Sequence, residues 1–134
     1  MILPNGAIVA VIDGQGMQLF RNVGHEPHID LASLPEPDLG VDNTGSGARH
    51  RSSSANPDSR RLAEDDFAAA AAEHLNREVL AGRIEQLVII ADPRTLGELR
   101  KHYHDELAGR LIGQLPKTLT RHSSEIIRNA IAEA

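Results

Sequence analysis

Cysteine and tryptophan are absent from this 134-residue chain, and its aromatic side chains are one tyrosine and two phenylalanines. Without cysteine there is no disulfide, no thiolate zinc site and no cysteine nucleophile. With so few rings, no aromatic platform for stacking the bases of a single strand is expected. A basic excess is missing too. The formal net charge is −5, so there is no global footprint for nucleic acid, and any RNA contact has to be local. No run approaches the ~20 apolar residues of a membrane-spanning helix. The segment Met1-Ile2-Leu3-Pro4-Asn5 lacks the basic stretch and long apolar run of an export signal. A cytoplasmic protein with no membrane partner is the expectation.

Hydrophobic residues make up 40% of the chain. With aromatics scarce, the core must be aliphatic, built from Leu, Ile, Val and many alanines. The length suits one ordinary domain with a real core, read here as a single α/β domain over 1–134. The clearest element is Leu87-Val88-Ile89-Ile90-Ala91 followed by Asp92-Pro93-Arg94-Thr95-Leu96. An unbroken apolar run rich in β-branched residues fits a strand covered on both faces. Asp92 then stands where an N-cap belongs, with Pro93 at the first helical position. Ala7 to Ile12 is a second β-branched run, and Asp13-Gly14-Gln15-Gly16 is a turn. Met17 to Val23 and His28 to Leu34 alternate apolar and polar, so three strands in an antiparallel meander are expected.

From Pro35 the composition shifts to Pro, Gly, Ser, Asn, Asp and Arg, with little to bury. A long flexible loop is expected at about 35–58; loops of that length are usually functional or disordered. A long helix follows, with Asn56 as cap and Pro57 as its first residue. Glu64, Asp65 and Asp66 suit the positive end of its dipole. Phe67, Ala70, Ala71, His74 and Leu75 form its inner face, and Gly82 stops it. The helix from Pro93 turns Leu96, Leu99 and Tyr103 inward. Its Gly97 costs roughly 1 kcal/mol against Ala, which close packing on a neighbouring backbone would explain. Leu111 to Leu115 fits a fifth strand, with Pro116 pointing to an edge position. A last helix from Ser123 carries Ile126, Ile127, Ala130 and Ile131 on one face. The order β-β-β-α-β-α-β-α, a meander plus helical crossovers, predicts a mixed sheet of ribonuclease H-like arrangement.

Two segments, LVIIADPRTLGELR at 87–100 and LPKTLTRHSSEIIRNAI at 115–131, together with Val9-Ala10-Val11-Ile12-Asp13-Gly14, resemble the bacterial "host attachment" proteins. That family is similar to the middle domain of archaeal and eukaryotic peptide chain release factors and of Pelota. The resemblance implies a ribosome-associated role in rescue or stress, or, from the family's name, a role in attachment to host cells. Release factors carry Gly-Gly-Gln in the loop before the long helix, where it promotes peptidyl-tRNA hydrolysis. The corresponding Gly45-Ser46-Gly47-Ala48-Arg49-His50-Arg51 has no glutamine. Release-type hydrolysis is therefore not expected.

The loop's cations suit RNA phosphates, which ask for positive charge rather than rings. Arg49, His50, Arg51, Arg60 and Arg61 are the candidate RNA or ribosome contacts; a solvated charged loop is the plainer alternative. Asp92, Arg94 and Thr95 form a candidate anion-binding helix start, although Arg94 also has Glu98 four residues on as a salt-bridge partner. Asp13, one of Glu64, Asp65 or Asp66, then Asp92 and Glu125 fall roughly where ribonuclease H-like nucleases hold two metal ions. Each also has a structural job as turn, dipole or cap residue, and the nuclease reading rests on fold analogy. His102 and His104 do not share a helix face and read as surface residues near a helix end, and His74 as a partly buried group. No G-x-S-x-G elbow or phosphate-binding glycine fingerprint occurs. The expectation is a non-enzymatic binding module with no cofactor and no metal. Its partner is the ribosome or RNA; alternatives are an attachment protein acting through other proteins, or a metal-dependent nuclease.

Overall fold

A computed structural model of the protein describes residues 1–39 and 57–134. In chain order the elements are β1 (Ile8–Ile12), β2 (Met17–Asn22), β3 (Leu31–Leu34), α1 (Pro57–Leu80), β4 (Leu87–Ala91), α2 (Pro93–Arg100), α3 (Asp105–Arg110), β5 (Leu111–Pro116) and α4 (Ser124–Glu133). The strands form one mixed sheet in the order β3-β2-β1-β4-β5. β1, β2 and β3 pair antiparallel as a meander, while β4 runs parallel to both β1 and β5. The fold is mixed α/β, consistent with the expected ribonuclease H-like arrangement.

β1 and β4 are buried at every position, because both faces of the sheet are covered. Ile8, Ala10 and Ile12 of β1 and Leu87, Ile89 and Ala91 of β4 face the α1–α3 layer, where Phe67, Ala71, Leu75, Leu96, Leu99 and Leu107 meet them. Val9, Val11, Val88 and Ile90 face the other way, onto Leu3 and onto Ile127 and Ile131 of α4. This is the period-2 alternation of a strand read twice. The alanines Ala68, Ala71 and Ala72 of α1 are buried against the sheet; alanine favours helix and lets the helix approach closely. Gly82, at φ +81°, ends the helix. Its N–H donates to Val79 O, and that of Arg83 to Glu78 O, satisfying the last carbonyls.

Several expectations need correction. β3 begins at Leu31, not His28, because Asp30 N–H is drawn to Asn22 Oδ1 at 2.9 Å. α3 is an additional short helix, capped by His104, whose Nδ1 accepts from Glu106 N–H at 3.0 Å. Ile126 does not join the inner face of α4 and is 46% exposed. Ala70 is only partly buried. A Cβ at Gly97 would have nothing within 4 Å, so no close packing explains that glycine. The 35–58 loop lies mostly outside the described residues, as does the cap residue Asn56; Pro57 and Asp58 already belong to α1. Tyr103 is half-buried, and its hydroxyl donates to Gln114 Oε1 at 3.2 Å, tying the end of α2 to β5. Burial pushes its pKa up to about 12.

Asn22 holds the end of the sheet at which β1 and β4 begin. It is fully buried and uses all four of its amide hydrogen-bonding positions. Nδ2 donates to Leu3 O and Pro4 O, and Oδ1 accepts from Gly24 N–H and Asp30 N–H.

Candidate functional site

Because β1, β4 and β5 are parallel, their carboxyl ends lie on one edge of the sheet, and the residues that follow them converge there. Asp13 closes the turn after β1. Its Oδ1 accepts from Gln15 N–H and Gly16 N–H, both at 2.7 Å. Its Oδ2 accepts from Thr120 Oγ1 at 2.9 Å, which ties the loop after β5 to this turn. Gly14 lies against α1: a Cβ there would sit 2.5 Å from Glu64 Cγ, so a side chain would push the turn off the helix. Glu36 also approaches the turn beside Gly16.

Asp92, after β4, caps α2 as expected, its Oδ2 accepting from Thr95 N–H at 3.1 Å. Arg94 does not pair with Glu98. Its guanidinium reaches across to α1, to Glu64 Oε1 at 3.2 Å and Asp65 Oδ1 at 2.8 Å. Glu98 instead pairs with Lys101 at 3.0 Å. The fold brings α1 and α2 side by side at this edge, so a partner about thirty positions away in sequence outcompetes the neighbour four away. Of the candidate anion-binding trio, Asp92 and Thr95 form the cap itself, and Arg94 holds two carboxylates.

Of the candidate RNA contacts, Arg60 and Arg61 are exposed near the start of α1, one turn before Glu64. Arg49, His50 and Arg51 lie outside the described residues. A further set of polar residues at this edge was not singled out from the sequence. Lys117, Arg121 and His122 are exposed in the loop between β5 and α4. Arg121 N–H donates to Gln18 Oε1 at 3.0 Å, and Arg121 adopts φ 67°. The signal that would have found them is the KTLTRH sequence just past a strand end, a position where α/β folds place ligands.

Most acids here are engaged: Asp13 with the turn and Thr120, Asp92 with the cap, Glu64 and Asp65 with Arg94. Glu125 is exposed in the first turn of α4. Among the described residues, no three His, Asp or Glu side chains come together in a group that would hold a metal ion. Arg94 therefore leaves this edge less negative than its composition suggests, with cations on α1 and on the loop after β5.

The opposite end of the sheet is different. A groove of about 320 Å³ lies between β2, β3 and the second half of α1, floored by Leu19, Leu34 and Leu75 and rimmed by Arg21, His74 and Glu78. Burial lowers the His74 pKa from its ordinary 6.5. The hydrogen bond from Arg83 Nε to Glu78, at 2.9 Å, holds the Glu78 carboxyl below its ordinary value.

The fold and this edge define a mixed α/β domain whose polar face lies above the ends of three parallel strands. Residues 6–131 match the model of the bacterial archaeo-eukaryotic release factor family 12, and the chain belongs to that family. The match runs from the approach to β1 into the last turns of α4, so it includes both the Asp13 turn and the loop after β5. No curated protein matches the chain. Among the described residues, no helix is long and apolar enough to cross a membrane.

Proposed function

We propose that this protein is a non-enzymatic accessory of translation or stress that binds the ribosome through RNA at the carboxyl edge of its sheet. The observation that carries the reading is membership of a release-factor family over nearly the whole chain, combined with a sequence in which Gly-Gly-Gln does not occur. A release-factor-like domain without that tripeptide keeps a reason to visit the ribosome and lacks the group that promotes hydrolysis there. The cations Arg60 and Arg61, with Arg49, His50 and Arg51, supply phosphate contacts without needing aromatic rings.

The test is sedimentation of lysate through sucrose gradients at low and moderate salt, probing for this protein. Migration with ribosomal particles, weakened as salt rises, supports the reading. Protein that stays at the top at both salt concentrations overturns it and directs the search to protein partners, the class an attachment role would use. If the Arg49→Ala, Arg51→Ala double variant sediments as the wild type does, those two residues are not the contact.

A further inference from the structure

We infer that the loop Lys117–His122 is a preformed phosphate-contacting element for RNA, with Arg121 its principal cation. The inference rests on the ribosome and RNA reading above and extends it to a part of the surface that the long loop does not supply.

The first support is backbone geometry. Arg121 stands at φ 67°, the left-handed region, and is the residue other than glycine found there among the described residues. An L-residue with a Cβ is disfavoured in that region, and glycine or asparagine is the ordinary choice. A turn needed only for chain reversal gains nothing from arginine. A long cation kept where the backbone disfavours it marks a demand on its side chain.

The second support is how the loop is held. Thr120 is tied to Asp13 Oδ2, Arg121 N–H to Gln18 Oε1, and His122 N–H to Leu119 O at 3.1 Å. Leu119 packs against the apolar cluster that α4 shares with the sheet. The loop is thus anchored to the turn after β1, to β2 and to the core, while Lys117 and Arg121 point no charge at a partner within the described residues. A loop whose backbone is already ordered loses less freedom when a phosphate arrives than one that must be ordered by it.

The third support is position. The turn Asp13–Gly16 touches both this loop, through Thr120, and α1, through Glu64. Arg60 and Arg61 precede Glu64 by one turn on the same helix. Two basic elements therefore flank one turn, at an edge whose acids are mostly bound elsewhere. That arrangement suits a repeating polyanion such as an RNA backbone, and the shortage of rings favours phosphate over base contacts.

The experiment compares the full chain with R121G, R121K and the R60A/R61A double variant. Each is measured for its urea midpoint and for binding to purified bacterial ribosomes over a salt series. R121G should hold or raise the urea midpoint, because glycine relieves the backbone. It should bind about three- to tenfold more weakly, with the log–log salt slope reduced by about 0.7–0.9. R121K should keep most of the affinity. If R121G binds with unchanged affinity and slope while R60A/R61A weakens binding, this inference is overturned and the wider reading stands. If R121G loses stability in step with affinity, Arg121 serves the fold and the inference also fails. If wild-type protein does not bind ribosomes at any salt concentration, both are overturned.

Discussion

Two short polar side chains bracket the β1–β2 hairpin, one at each end of the sheet, and they do so by opposite means. Asn22 is neutral and fully buried, with all four amide positions filled by backbone groups. Asp13 is charged and partly exposed, and it binds two N–H groups of its own turn and the hydroxyl of a distant loop. A buried bracket must be fully satisfied, since any lost partner leaves a desolvated dipole behind. A surface bracket has water as a substitute, so it tolerates change and is free to carry a charge. The amino end is therefore locked by buried bonds, whereas the carboxyl end keeps its polar groups at the surface.

Substitutions separate the two brackets. The largest effect is expected from Asn22→Ala, which removes four hydrogen bonds, strands the Leu3 carbonyl and the Gly24 and Asp30 N–H groups while Pro4 O keeps its bond from Ala7 N–H, and should destabilise by about 3 kcal/mol, read as a lower urea midpoint. Ribosome affinity of the fraction that stays folded should not change. Asp13→Ala should cost about 1–2 kcal/mol and, by releasing Thr120, should also weaken ribosome binding. An Asp13→Ala protein that lost stability alone would erase the functional side of the contrast. Arg94→Ala removes an exposed pair of salt bridges and should cost no more than about 0.5 kcal/mol. It uncovers Glu64 and Asp65, so its loss should show mainly as a few-fold weaker binding that high salt conceals.

The smallest effect is a pH dependence confined to the amino end. Burial lowers the folded-state pKa of His74 below 6.5. Between that value and the lower folded one, the unfolded chain holds more protons, so acidification through this window withdraws stability. Below the folded value the group adds no further loss. Glu78, lowered by the Arg83 hydrogen bond, contributes stability above its ordinary 4.5 that fades as pH falls toward its folded value. Both slopes have the same sign. Urea midpoints of His74→Gln should vary less with pH between neutrality and mild acid than those of wild type.

Much of the fold could be read from residue patterns, and the failures share a cause. β1, β4 and α2 are local statements: β-branched runs, an aspartate cap and a proline at the right offset determine them without help from elsewhere. The extra helix α3 was missed because its six residues carry one buried side chain, Leu107, too few to show a period. Gly97 was assigned a packing role because its local cost is visible and its open surroundings are not; Gly97→Ala should accordingly stabilise the protein by about 0.5–1 kcal/mol in thermal or urea unfolding. The partner of Arg94 and the tethering of the loop after β5 depend on which strand ends meet. Strand order, set by packing across the whole chain, decides that. The basic cluster on α1 was legible as charge, whereas the left-handed backbone of Arg121 leaves no trace in composition.

The solitary tyrosine has an optical consequence. In a protein without tryptophan, near-ultraviolet emission comes from Tyr103 almost alone, and its hydroxyl rests on Gln114 where α2 meets β5. The molecule therefore carries its own lamp at the seam between its helical layer and its outermost strand. Loosening of that seam should change the emission without any label.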